Sequence, residues 1–234
     1  TTRPTRPSPP RAASATPPGR ALTSIQVARW GAKFRQFGLP PIDADVAVGH
    51  LADLATLRDE ETDRAGFRAA MDDLASLLVY EATRSLRTET YDLRTPLAAT
   101  TGVRLAGPPM AVPVLRAGLG LLPGVLRMVP DAPTGFIGVA RNEETLVPEP
   151  YMNSVPDDLD GRDVLVLDPM LATGGSLTHA CGILRDRNPG RLLCVCVLAA
   201  PEGVAALDRS GLADELVVGS IDDHLDEHAY IVPG

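Results

Sequence analysis

Residues 164–180 read VLVLDPMLATGGSLTHA. Four consecutive apolar residues predict a strand buried on both faces, the type found in parallel sheets. The run ends at Asp168, and a short loop carrying Thr173, Gly174, Gly175 and Ser176 opens into a helical stretch. In open α/β sheets, ligands bind beyond the carboxyl ends of the strands. A helix starting there points free N–H groups and the positive end of its dipole at one place. Glycines let the main chain approach an oxyanion, and the Thr173 and Ser176 hydroxyls add donors. The pattern suits a phosphate monoester, with Asp168 positioned to accept hydrogen bonds from sugar hydroxyls. A plain strand-to-helix turn, with Asp168 as a cap, would use the same residues. Gly-Lys-Ser/Thr is absent from the chain and G-x-G-x-x-G is absent from this loop, so the P-loop and dinucleotide readings fail.

On either side the pattern alternates. MAVPVL (110–115), TGFIGVA (134–140), LLCVCVL (192–198) and ELVV (215–218) read as strands. LGLLPGVLRM (119–128), LTHACGILRDR (177–187) and EGVAALDR (202–209) read as helices, with Pro123 tolerated near a first turn. This alternation predicts an α/β fold with a mostly parallel sheet flanked by helices. RNEETLVPEPYMNSVPDDLDGR (141–162) is a long polar connection of the kind that forms a lid or a β-ribbon. Upstream, Phe67, Ala70, Met71, Leu74, Leu77 and Leu78 recur at helical spacing, with Asp72 and Asp73 facing out. They predict a helix over 67–86, capped by Thr62 or Asp63. Residues 21–66 show no clear period.

The chain has 234 residues, 44% of them hydrophobic, enough for one ordinary domain with a sizeable core. Its net charge of −8 argues against a nucleic-acid partner. No run of 18 apolar residues exists, so no membrane span is expected. Residues 1–20 hold four arginines, six prolines and no acid. The prolines interrupt the amphipathic helix of a transit peptide, so this segment reads as a disordered Pro/Arg-rich leader before a domain over 21–234. The chain begins at Thr1 rather than Met, as expected of a processed or partial product.

Three cysteines do not make a disulfide framework. Cys194 and Cys196 alternate onto one strand face, where buried thiols are usual. His179, one turn past Ser176, is expected to pack rather than to act as a base. His224 and His228 lack a third metal ligand and are expected on a solvated helix face. Asp222, Asp223, Asp226 and Glu227 are expected at the surface.

DPMLATGGS (168–176) resembles the phosphoribosyl-diphosphate motif of uracil phosphoribosyltransferases. VPVLRAGLG (112–120) resembles that family's pyrophosphate loop, and RNEETLVPEPY (141–151) its arginine-bearing flexible segment. APEGVAAL (200–207) and SIDDHLDEHAYIVPG (220–234) resemble its late region, and weaker likeness reaches back through TLRDEET and LLVYEATRSL to about residue 45. The resemblance implies a type I phosphoribosyltransferase fold with N-terminal helices and a β-ribbon or flexible arm. It implies a pentosyltransferase of pyrimidine salvage that converts uracil and 5-phosphoribosyl 1-diphosphate to UMP and diphosphate. By the same resemblance the enzyme is cytoplasmic and homo-oligomeric, as a dimer or tetramer.

The roles carried over fall on named residues. Arg116 and Arg141 would hold the leaving diphosphate, for which a guanidinium is a bidentate partner. Without the resemblance, either arginine would read as a surface ion pair with Glu143 or Glu144. Asp168, Pro169, Met170, Leu171, Ala172, Thr173, Gly174, Gly175 and Ser176 would bind the phosphoribosyl part, with Asp168 and Arg116 catalytic. Tyr230 and Ile231 would face uracil, the latter through its backbone. Mg²⁺ is implied as the cofactor. Many related enzymes carry two adjacent acids at this strand end, whereas here Pro169 follows Asp168, so the metal would be bound mainly through ligand oxygens and water. The family continues YIVPG with a run like LGDAGDR that supplies most contacts to uracil, while the sequence here stops at Gly234. The expectation is therefore of a truncated base pocket. Two alternatives stand beside the enzyme: a catalytically inactive relative that binds phosphoribosyl diphosphate or a nucleotide as a regulator, and a phosphoribosyltransferase for another base.

Overall fold

The computed structural model describes residues 30–31, 44–141 and 148–234, with side chains over 50–139 and 151–234. The leader at 1–20 lies outside the described residues. In chain order the elements are β1 (Trp30–Gly31), α1 (Ala44–Arg58), α2 (Arg64–Thr83), β2 (Thr88–Arg94), β3 (Ala99–Leu105) and β4 (Met110–Leu115). A 3₁₀ turn (Ala117–Gly120) precedes α3 (Leu122–Met128), β5 (Ile137–Arg141), β6 (Pro148–Asn153), β7 (Val164–Leu167) and β8 (Met170–Leu171). Then come α4 (Gly175–Arg185), β9 (Leu192–Ala199), α5 (Pro201–Ser210), β10 (Glu215–Ile221), β11 (His224–Leu225) and β12 (Ile231–Val232).

The main sheet runs β1-β10-β9-β7-β4-β5-β6, with β8 pairing beside β9. Strands β10, β9, β7, β4 and β5 are mutually parallel, while β1 and β6 close the edges antiparallel. Alternate residues of each central strand serve opposite faces, as strand geometry requires. Leu165, Leu167, Leu193, Val195 and Val197 join Leu74, Leu78 and Val125 in the core under α1, α2 and α3. Val164, Val166, Leu192, Cys194 and Cys196 join Leu177, Cys181 and Leu207 under α4 and α5. All three cysteines are free and buried, in line with the core reading. Among the described residues no helix is long and apolar enough to cross a membrane.

The strand positions predicted from sequence hold to within a few residues. Asp63 is the cap of α2, its carboxylate accepting the Gly66 N–H at 2.7 Å. The buried stripe of α2 is Ala70, Leu74, Ala75, Leu78, Val79 and Ala82, so Phe67, at 43% exposure, lies off the predicted core face. The helix expected over 119–128 is split into the 3₁₀ turn and α3, because Pro123 can only occupy a first turn and so starts α3 there. The long polar connection is indeed a ribbon, β6 pairing back on β5. Helix α1 is one of the N-terminal helices that the resemblance implied, though residue periodicity did not reveal it, and the β2–β3 ribbon was not read from the residues.

Candidate active site

Five parallel strands end on one side of the sheet, and every segment expected to bind substrate leaves from that side. β4 runs into Arg116, β5 ends at Arg141, and β7 runs into Asp168. β10 leads to the hairpin of β11 and β12 that carries Tyr230 and Ile231. Arg116 is exposed and lines an open hollow of ≈ 700 Å³ with Leu115, Ala117, Val139 and Tyr151. Arg141 is in register with Pro148 on β6, but its side chain and residues 142–147, including Glu143 and Glu144, lie outside the described residues.

The loop after β7 is held by backbone. Asp168 N–H donates to Val195 O (3.1 Å), Pro169 O accepts from Val197 and Leu198, and Met170 and Leu171 pair with Leu198 and Ala199 of β9. Leu171 points into the core, 1% exposed, so only its main chain is available to a ligand. Gly174 caps α4 at φ +83°, and the helix start has no side-chain cap. Its first N–H groups therefore face outward without an intrahelical acceptor. Thr173 and Ser176 are exposed beside them.

The turn after β4 touches the end of β7. A Cβ on Gly118 would come within 2.3 Å of Leu167 O, so only glycine lets the turn after β4 lie against the end of β7. This contact brings the Arg116 loop alongside Asp168.

Asp168 is the most perturbed carboxyl of the site. It is 9% exposed and accepts one long hydrogen bond, from Met170 N–H at 3.4 Å. Burial pushes its carboxyl up to about 6, with the Met170 N–H pulling weakly the other way. Perturbed groups in clefts are functional candidates, because burial without a partner is costly unless a ligand supplies one. Among the described residues no group of three His, Cys, Asp or Glu side chains could hold a metal. Cys194 and Cys196 are buried thiols pushed up well above their ordinary value, which makes them inert, Cys194 first through its contact with Cys181 at 3.6 Å and Cys196 first through burial.

Tyr230 is exposed and Ile231 is buried in the core under α1, leaving its backbone as the group that can face a ligand. His224 and His228 are exposed, as expected, but they sit on β11 and a turn rather than on a helix, because Asp226 caps that turn. Asp223, Asp226 and Glu227 are at the surface as expected. Asp222 is not. It is buried at 7% exposure by a bidentate pair with Arg58, whose partner position no local pattern could reveal. His179 packs on α4 with its Nε2 buried and, among the described residues, without a hydrogen-bond partner.

The sequence profile of uracil phosphoribosyltransferases matches residues 48–234. The chain belongs to the uracil phosphoribosyltransferase family. It is 52% identical over 181 residues to a uracil phosphoribosyltransferase of Corynebacterium diphtheriae, covering 77% of this chain and 86% of that one. It is 53% identical over 184 residues to another from Streptomyces avermitilis, covering 77% and 87%. Among solved structures, the AQ2163 protein from Aquifex aeolicus superposes with a TM-score of 0.74 at 37% identity, covering 79% of this chain and 89% of that one. The family match begins three residues after the point where the sequence resemblance fades in.

Proposed function

We propose that this uracil phosphoribosyltransferase family member transfers the 5-phosphoribosyl group of 5-phosphoribosyl 1-diphosphate to uracil, giving UMP and diphosphate. The observation that supports the reading is the backbone contact of Gly118 with the end of β7, which joins the turn after Arg116 to the strand that leads into Asp168 and the uncapped start of α4.

Each group has a task that its surroundings suit. The N–H groups opening α4, with Thr173 and Ser176, hold the 5-phosphate. Asp168 accepts hydrogen bonds from the ribose hydroxyls, which replace the partner it lacks. Arg116, joined by Arg141 from the ribbon, binds the diphosphate and stabilises the charge that grows on it as the glycosidic bond opens. The backbone at Tyr230 and Ile231 presents uracil to the opposite side of C1, so the attacking nitrogen and leaving oxygen lie in line. When bound, Mg²⁺ would supply charge neutralisation for the diphosphate, as a hard cation held by oxygen donors. Pro169 follows Asp168 where related enzymes carry a second acid, so Asp168 is the one side chain of this strand end that could share in holding the ion. The reading includes a homo-oligomer, dimer or tetramer, acting in the cytoplasm.

Incubation with uracil, 5-phosphoribosyl 1-diphosphate and Mg²⁺ should yield UMP and diphosphate in equal amounts. Binding of the phosphoribosyl donor without UMP would overturn the enzyme reading and leave a binding protein. Nucleotide formed from another base in preference to uracil would overturn the choice of base. Light scattering on the eluting protein tests the oligomer.

A further inference from the structure

The hairpin that presents Tyr230 and Ile231 is small. β11 and β12 share two residue pairs, His224 with Val232 and Leu225 with Ile231. A ladder that short is not stable alone, so something else must fix it. Asp223 N–H donates to Val232 O and Asp226 N–H to Tyr230 O, but these bonds lie within the hairpin. Toward the body, Leu225 N–H donates to Glu202 Oε1 at 3.2 Å, and Ile231 is buried. The strongest tie is ionic. Arg58, the last residue of α1, donates from Nη2 to Asp222 Oδ1 (2.6 Å) and from Nη1 to Asp222 Oδ2 (3.0 Å). The same Nη1 reaches the main-chain oxygen of Gly234 at 3.1 Å. Asp222 Oδ2 in turn accepts Gly234 N–H at 3.1 Å, and Oδ1 accepts the Ser220 hydroxyl at 3.1 Å.

One carboxylate and one guanidinium thus hold the chain on both sides of the hairpin, at 222 and at 234. A second polar tie runs from the same helix. His50 Nε2 donates to Gly219 O at 2.9 Å in a buried contact, two turns before Arg58 and three residues before Asp222. Leu54, between the two ties, is buried in the same core as Ile231.

We infer that Arg58 and Asp222 are positioning residues for the base: the pair clamps the 223–233 hairpin so that the backbone at Tyr230 and Ile231 stands at a fixed height over C1 of the ribose. This rests on the proposed uracil reading. It adds that base affinity is set by α1, an element far from the phosphate loop in sequence. The pair touches neither substrate and acts only through the hairpin.

Arg58→Lys keeps the charge but loses the fork that reaches both carboxylate oxygens and Gly234. Asp222→Asn keeps the shape but loses the ion pair. Each variant should raise KM for uracil about tenfold or more, while kcat at saturating uracil and the dissociation constant for 5-phosphoribosyl 1-diphosphate stay within about twofold. Amide hydrogen exchange should quicken about tenfold over 224–233 and stay unchanged over 168–177. Arg84→Lys, on an exposed ion pair with Glu81, is the control and should change none of these. Folded variants whose KM for uracil and hairpin exchange both match the unsubstituted protein would overturn the inference. Equal losses for uracil and for the phosphoribosyl donor would also overturn it, since they would mean general loosening. If the unsubstituted protein forms no UMP, the uracil reading fails by itself, and hairpin exchange still decides whether the clamp exists.

Discussion

Asp168 and Asp222 occupy equivalent places in the sheet. Each directly follows a parallel strand, β7 or β10, and each main-chain N–H donates to a neighbouring strand, to Val195 O or to Ala199 O. They are buried alike, at 9% and 7% exposure. Their carboxylates differ completely. Asp222 accepts four hydrogen bonds, two of them from Arg58, while Asp168 accepts one long one from Met170. A buried charge with its partners inside the fold locks two elements together. A buried carboxyl without them costs stability, and on the proposed reading the ribose hydroxyls supply the partners.

The sharpest way to break this contrast is to remove Arg58. Arg58→Ala leaves Asp222 buried and unpaired, which should cost about 3–5 kcal/mol and lower Tm by about 10 °C in a thermal melt. A fall of a degree or two would mean that the pair is incidental.

The second effect is pH-dependent and has the opposite cause. Asp168 titrates near 6 in the folded protein, against about 4 in an unfolded chain. The folded state therefore binds more protons between these values, and stability falls as pH rises from about 4 to about 6. The loss is about 3 kcal/mol and complete above that window. Denaturant titrations of the protein and of Asp168→Asn across pH 4–8 should diverge over that range, with the variant gaining relative stability at the upper end. Parallel curves would place a partner near Asp168 that the geometry does not show.

The same substitution separates stability from activity. Asp168→Asn should reduce UMP formation about a hundredfold while Tm at pH 8 rises. Full activity in that variant would remove the ribose role. The smallest effect belongs to the loop itself. Gly174→Ala forces an L side chain to φ +83° with its Cβ 3.0 Å from Gly203 O. It should cost about 1–2 kcal/mol and weaken binding of the phosphoribosyl donor while leaving KM for uracil unchanged.

The same contrast explains what the sequence could and could not reveal. The loop over 168–176 was legible because its pattern is local: strand, acid, glycines, hydroxyls and helix follow one another within 17 residues. The central strands were legible because residues buried on both faces leave unbroken apolar runs. The β2–β3 ribbon was not, because both its faces are largely exposed and its alternating apolar residues, Tyr91 and Leu93 on one strand and Val103 and Leu105 on the other, are few. Helix α1 was hidden by ADVAVGHLADLATLR, where small alanines spread around the axis and blur the period. Asp222 looked like one more surface acid in an acidic stretch, since its partner stands 164 residues away.

Gly118 has a consequence for which ligands can be told apart. With no Cβ between the turn after β4 and the end of β7, the loops that leave from these two places are held at one separation. On the proposed reading they act as a ruler laid along a ribose, with a phosphate at one end and a diphosphate at the other. A nucleoside triphosphate, with all its phosphates on one carbon, fills one mark of that ruler and misses the second. Selection by span needs no side chain that recognises the sugar donor by name.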